Sequence, residues 1–253
     1  MAILEIKNVS REFGGLLALD RLSVSIEKGE IFGLIGPNGA GKTTLFNLIT
    51  GIYRPSSGEV LFEDRPIGGL KPHRIAEVGI GRTFQNIRLF KKLSALDNVR
   101  VGMHTVSQAG FFSAILHTPW AIRRERVTLE KSMELLELVG LGGKAIELAG
   151  SLPYGEQRCL EIARAMALDP SLILLDEPAA GMNATEKEEL LRLIRKIQEM
   201  GVTVLLVEHD MNVVMNICHR IAVLDYGRKI AEGAPEQIKN DERVIESYLG
   251  VEM

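Results

Sequence analysis

The sequence predicts an α/β fold: a core around a parallel sheet, with an antiparallel β region and a helical region attached. Three observations predict it. A short apolar run, Glu30 to Ile35, leads directly into "GPNGAGKTT" and then into helical apolar spacing from Leu45 to Ile49. Two more apolar runs, "LILLDEP" (Leu172 to Pro178) and Val202 to Val207 in "GVTVLLVEHDM", end in charged residues. Central parallel strands look like this, because ligands bind beyond their carboxyl ends. The N-terminus, "MAILEIKNVSREF", alternates with the period of a strand.

Taken in order, "AILEIKNVSREF", "LSVSIEKGE" and "GEVLFEDRPI" read as antiparallel strands within residues 1–30 and 52–70, with turn signals at Ser56-Ser57-Gly58 and Glu63-Asp64. Residues 85–155 read as helical, through "ALDNVRVGM", "GFFSAILH" and "AIRRERVTLEKSMELLELVGL". "TVLLVEHD", "RIAVLDYG" and "KIAEGAP" return to strand, and "APEQIKNDERVIESYLGVEM" closes the chain with one or two amphipathic helices. The expected organisation is one domain over 1–253: a core with its antiparallel region from 1–84 and 156–253, and a helical subdomain over about 85–155. Within 104–127, Phe111, Phe112, Ile115, Leu116 and Trp120 precede Arg123, Arg124 and Arg126. They fit either a local helical hairpin or an exposed apolar surface, rimmed by charge, that receives a partner.

The 253 residues are 46% hydrophobic, enough for a sizeable core. A charged fraction of 25% and a net charge of -3 indicate neither a disordered chain nor a nucleic-acid-coating surface. Cys159 and Cys218 show no metal spacing and read as small core residues. The N-terminus lacks the apolar stretch of a signal peptide, and no apolar run approaches the roughly 20 residues that cross a bilayer.

The chemistry begins at Gly36, Gly41, Lys42 and Thr43, which fit G-x-x-x-x-G-K-[ST] between a strand and a helix, the setting of a P-loop. Glycines turn backbone N–H groups toward phosphate oxygens, and the helix adds its unpaired N–H groups and positive end. Lys42 is expected on the β- and γ-phosphates, Thr43 on Mg²⁺, and Thr44 toward the α-phosphate. At the tip of "LILLDEP", Asp176 is expected to hold Mg²⁺ and Glu177 to polarise an attacking water. Adjacent acids at a strand end are costly unless a cation or a reaction offsets their desolvation. His209 at the end of the later strand can donate to a γ-phosphate oxygen.

In this order and spacing the motifs resemble the ATP-binding cassette (ABC) family over nearly the whole chain. The resemblance implies the ABC ATPase fold: a P-loop NTPase core with an antiparallel β subdomain and a helical subdomain. It makes Gly36, Pro37, Asn38, Gly39, Ala40, Gly41, Lys42, Thr43 and Thr44 the ATP-binding loop. "RTFQNIRLF" (82–90) looks like the Q-loop, placing Gln85 near Mg²⁺ and water. "AAGMN" (179–183) resembles the D-loop, His209 the switch histidine, and Phe13 the ring that stacks on adenine. Lys42, Gln85, Glu177 and His209 are thereby implied in catalysis.

"LPYGEQ" sits where the family has its signature, L-S-G-G-Q. Pro153, Tyr154, Gly155 and Glu156 are implied to face ATP on an opposing subunit. Pro153 brings neither hydroxyl nor N–H, so this signature is expected to hold phosphate through backbone and helix dipole alone.

"FGGLLAL", "YGEQRCLEIARAMALDP", "DEPAAGMN" and "GAPEQIKNDERVIESYLG" further look like ATPase subunits of branched-chain amino acid uptake systems. Related urea and amide cassettes share much of this pattern. The resemblance implies ATP and Mg²⁺, a second cassette in a homo- or heterodimer, two transmembrane permease subunits and, indirectly, a secreted solute-binding protein. It implies no nucleic acid, and a peripheral place on the cytoplasmic face of the membrane. A soluble non-transport ABC ATPase is the alternative; the long coiled-coil insertion or second cassette of such proteins is absent from the sequence.

Overall fold

The computed structural model describes residues 1–104 and 119–249. Along the chain lie β1 (Ala2–Phe13), β2 (Leu16–Glu27), β3 (Ile31–Ile35), α1 (Lys42–Ile49), β4 (Ser57–Phe62), β5 (Arg65–Pro66), α2 (Pro72–Glu77), β6 (Ile80–Arg82), α3 (Ala95–His104) and α4 (Pro119–Leu138). Then follow α5 (Tyr154–Met166), β7 (Leu172–Asp176), α6 (Ala184–Glu199), β8 (Thr203–Val207), α7 (Met211–Ile217), β9 (Arg220–Asp225), β10 (Arg228–Gly233), α8 (Pro235–Lys239) and α9 (Glu242–Leu249). The segment "GFFSAILH", with Phe111 to Leu116, lies outside the described residues.

Four strands form one antiparallel sheet in the order β2-β1-β4-β5. The turn from β4 to β5 runs through Glu63 and Asp64, both left-handed, as a tight hairpin of this hand requires. Six strands form the central sheet in the order β10-β9-β3-β8-β7-β6. All its neighbours pair in parallel except β10, which folds back on β9. β6 is absent from the reading of the sequence. At three residues it is too short for a periodicity, and only pairing with β7 makes it a strand.

Every residue of β3, β7 and β8 is buried. Alternate residues serve two cores. Ile31, Ile173, Leu175, Val204 and Leu206 join the helices α5, α6 and α7 on one side. Phe32, Leu34, Leu172, Leu174 and Leu205 join α1 and the antiparallel sheet on the other. Burial on both faces explains why these strands read as continuous apolar runs.

α6 carries the best-defined helix start. The Asn183 side chain accepts from Glu186 N–H at 3.0 Å, and the Glu186 carboxylate accepts from Asn183 N–H at 2.9 Å. This is a capping box. Asn183→Ala should cost about 1 kcal/mol and lower the melting temperature by about 3 °C. A melting curve that overlays the wild type would show that the box adds nothing.

Candidate active site

The site is built at the carboxyl ends of β3, β7 and β8. β3 delivers the chain to Gly36, whose φ is 147°. A Cβ there would stand 2.1 Å from the Leu224 carbonyl oxygen, so no side chain fits. The loop then curls over residues 37–41 into α1, which starts from Gly41 in a left-handed conformation. No side chain caps α1 and no acid occupies its first turn. Its leading N–H groups and positive dipole end are therefore open to an anion.

Lys42 folds over the same loop, its Nζ donating to the carbonyls of Gly36 at 2.6 Å and Pro37 at 2.9 Å. Burial pulls its pKa below the usual lysine range, against the pull of Glu177 and Asp176. Thr43 is exposed and Thr44 half-buried at the start of the helix. Asn38 and Gly39 are exposed at the crown, while Ala40 is buried beneath it.

Asp176 ends β7 and is 6% exposed. Arg82, at the end of β6, donates to its carboxylate at 3.4 Å. The same guanidinium donates to Asn47 Oδ1 and Thr50 Oγ1, both at 2.8 Å, and so bridges Asp176 to α1. Burial raises the Asp176 pKa and Arg82 opposes the rise.

Glu177 leaves the strand with φ 47°. The left-handed turn sends its side chain away from Asp176 while its N–H still donates to the Val207 carbonyl at 2.9 Å. Gln85 Nε2 donates to Glu177 Oε2 at 3.1 Å, and His209 Nδ1 lies 3.7 Å from the same oxygen. Lys42, Gln85, the adjacent pair Asp176 and Glu177, and His209 thus converge from four separate segments. Phe13 is placed elsewhere. Its ring meets Tyr53 edge-on at 5.0 Å, and the Arg11 guanidinium covers its face at 4.4 Å.

Pro153 precedes the first residue of α5 and caps it with no side-chain bond. Glu156 lies in the first turn, where Lys144 clasps it with two contacts of 2.7 Å. Tyr154 is exposed and Gly155 buried. The Tyr154 hydroxyl accepts from Arg158 at 3.0 Å. On the far side of Pro153 and Gly155 a cavity of about 640 Å³ opens toward Glu186 and Glu189 of α6.

Three residues here were not singled out from the sequence: Arg82, Arg158 and Glu208. Arg82 and Arg158 were visible only as parts of motifs whose other members drew the attention. Glu208 is 1% exposed, and one of its carboxylate oxygens accepts from Ala179 N–H at 2.8 Å. Its other oxygen is buried without a partner among the described residues. Burial raises its pKa, so its charged form is disfavoured in the folded chain. The folded carboxyl therefore holds its proton to higher pH than the unfolded one. Wild-type stability should fall relative to Glu208→Gln as pH rises from about 4 toward neutrality. Melting temperatures that run parallel across that range would remove Glu208 as a buried, strained charge.

The chain resembles known proteins over its whole described extent. The model of the family described as ABC transporter matches residues 19–180. A second, described as branched-chain amino acid ATP-binding cassette transporter, matches residues 228–253. The high-affinity branched-chain amino acid transport ATP-binding protein BraF of Pseudomonas aeruginosa is 45% identical, covering 98% of each chain. The LivG protein of Escherichia coli K12, of the same description, is 44% identical, again over 98% of each. Among solved structures, the ADP conformation of an ATP-binding cassette of an ABC transporter superposes with a TM-score of 0.87 at 33% identity, covering 99% of both chains. A dimeric cassette in a post-hydrolysis state with ADP and phosphate gives 0.77 at 27% identity, over 92% of this chain and 98% of that one. With its phosphate loop, its paired acids and this likeness, the chain belongs to the ABC transporter family, as an ATP-binding cassette of the kind that hydrolyses ATP.

Proposed function

We propose that the chain is the ATP-hydrolysing subunit of an importer for branched-chain amino acids. The observation that carries the catalytic part is the Glu177 carboxylate, turned out of its strand and bracketed by Gln85 and His209. Such a carboxylate can orient a water in line with a terminal phosphate. Lys42 and the open N-terminus of α1 stabilise the charge that develops on the phosphoryl oxygens, and His209 adds a donor there. Pro37 to Gly41 wrap the phosphates, and Phe13 supplies the ring for adenine once Arg11 gives way.

Mg²⁺ fits the donors present. The Asp176 carboxylate and the Thr43 hydroxyl are hard oxygen ligands, with the Gln85 amide close by. No cluster of three or more metal-binding side chains exists among the described residues. That suits an ion that draws its remaining ligands from phosphate and water. When bound it neutralises phosphate charge.

Two cassettes face each other head to tail, so that residues 153–156 of one approach the nucleotide of the other. Lys144 neutralises Glu156, which leaves the N-terminus of α5 attractive to an anion. The dimeric cassette with ADP and phosphate supports a paired assembly. The second subunit is this chain again or a related one.

The names of BraF and LivG support branched-chain amino acids as the transported class. So does the match at 228–253 to the family described as branched-chain amino acid ATP-binding cassette transporter.

Among the described residues no helix is long and apolar enough to cross a membrane. Permease subunits would therefore hold the chain at the cytoplasmic face, with a secreted solute-binding protein delivering substrate to them. Just beyond Gln85, Phe90 and Leu93 lie beside Ile146 and Leu148, which is 53% exposed, and backbone hydrogen bonds tie the two segments together. This exposed apolar patch, next to Lys91 and Lys92, is the surface we assign to the permeases.

Glu177→Gln should keep ATP binding, cut turnover by at least about a hundredfold, and accumulate a closed dimer in ATP. Lys42→Ala should instead weaken ATP binding itself. Nucleotide titrations and phosphate release separate the two. Undiminished turnover in the Glu177 variant would remove that carboxylate from the reaction.

A further inference from the structure

The Arg158 side chain is fully buried in α5, and each of its two terminal nitrogens makes two contacts. Nη1 donates to the Phe84 carbonyl at 2.6 Å and to Glu161 at 3.1 Å. Nη2 donates to the Gln85 carbonyl at 2.8 Å and to the Tyr154 hydroxyl at 3.0 Å. Glu161, equally buried, accepts from Arg88 N–H at 3.2 Å, and Arg164 donates to the Arg88 carbonyl. Through Arg158, Glu161 and Arg164, α5 holds the backbone of residues 84–88.

We propose that Tyr154 is a positioning residue: its hydroxyl, acting through the Arg158 fork, links the segment 152–156 to the placement of Gln85 in the same chain. A guanidinium is planar and rigid, so its two nitrogens move together. A displacement of the Tyr154 hydroxyl is therefore felt at the Gln85 carbonyl. The Gln85 side chain carries it on to Glu177 at 3.1 Å. Tyr154 is also 46% exposed. Its ring bears on the 179–183 segment as well: a Cβ on Gly181, which is left-handed, would come within 3.3 Å of it.

The proposal rests on the head-to-tail dimer put forward above. In that dimer Tyr154 is near one nucleotide while Gln85 and Glu177 serve the other. The residue that stands where related signatures have glycine thus connects the two sites. Toward Glu177 Tyr154 is a positioning residue and not a catalytic one, since it reaches that carboxylate only through Arg158 and Gln85.

The test has two arms. In the transporter complex purified through a tag on this chain, Tyr154→Phe removes only the hydroxyl. Its kcat should fall about tenfold, with KM for ATP held within about a factor of two. In the isolated full chain, hydrogen exchange of the Arg88 amide should quicken in Tyr154→Phe and more so in Arg158→Lys, while the β3 amides stay as protected as in the wild type. Wild-type turnover in Tyr154→Phe, or a rise in KM alone, would overturn the link. So would unchanged exchange at Arg88 in both variants. An inactive wild-type complex would instead defeat the dimeric ATPase reading, and the exchange arm would still decide the link.

Discussion

Strands buried on both faces leave ionisable side chains nowhere to go but the strand ends. β3, β7 and β8 contain no charged residue before their last position, and the only one there is Asp176. Parallel pairing puts those ends side by side: Leu34 and Asp176 both lie in register with Val207. The phosphate loop, the two acids and His209 are therefore gathered by sheet register before any of them contacts another. The same burial sets their energetics. Desolvation opposes the charge on Lys42 and on Asp176, and each is held by the opposite charges of the other elements.

Gln85 is different, because it belongs to no strand. The chain leaves the sheet after β6 and is recaptured by α5 through buried charge. A buried pair such as Arg158 and Glu161 contributes little net stability, since desolvation offsets its attraction. Its value lies in placement. Both terminal nitrogens of the fork have defined acceptors, on the 84–85 backbone, on Glu161 and on Tyr154, so one register of α5 against this segment satisfies them, while Nε is buried without a partner among the described residues. Arg82 does a similar task for Asp176, with α1 as the anchor.

Much of this was legible in the sequence, and what was missed has a common cause. The phosphate loop, "LILLDEP" and the later strand announce themselves through local pattern: glycine spacing, apolar runs and acids at their ends. The hairpin at Glu63-Asp64 announces itself through turn residues. β6, Arg82, Arg158 and Glu208 depend on partners 29 to 94 positions away. Arg158, Glu161 and Arg164 do share a helical face by spacing, but a face of charges reads as solvated until something covers it. Burial of that face follows from the packing of 84–90 over it, which no local period encodes. In the sequence Tyr154 shows only as a departure from L-S-G-G-Q; its hydroxyl acquires a meaning only beside Arg158.

The clasp of Lys144 on Glu156 has a consequence of its own. Lys144 belongs to a short 3₁₀ turn and bears on the 153–156 segment through Glu156. It decides what electrostatic sign a visiting anion encounters at the doorway of α5. Strip that ammonium of its charge and the doorway would turn from welcoming to hostile, while every motif by which such a cassette is recognised stayed unaltered.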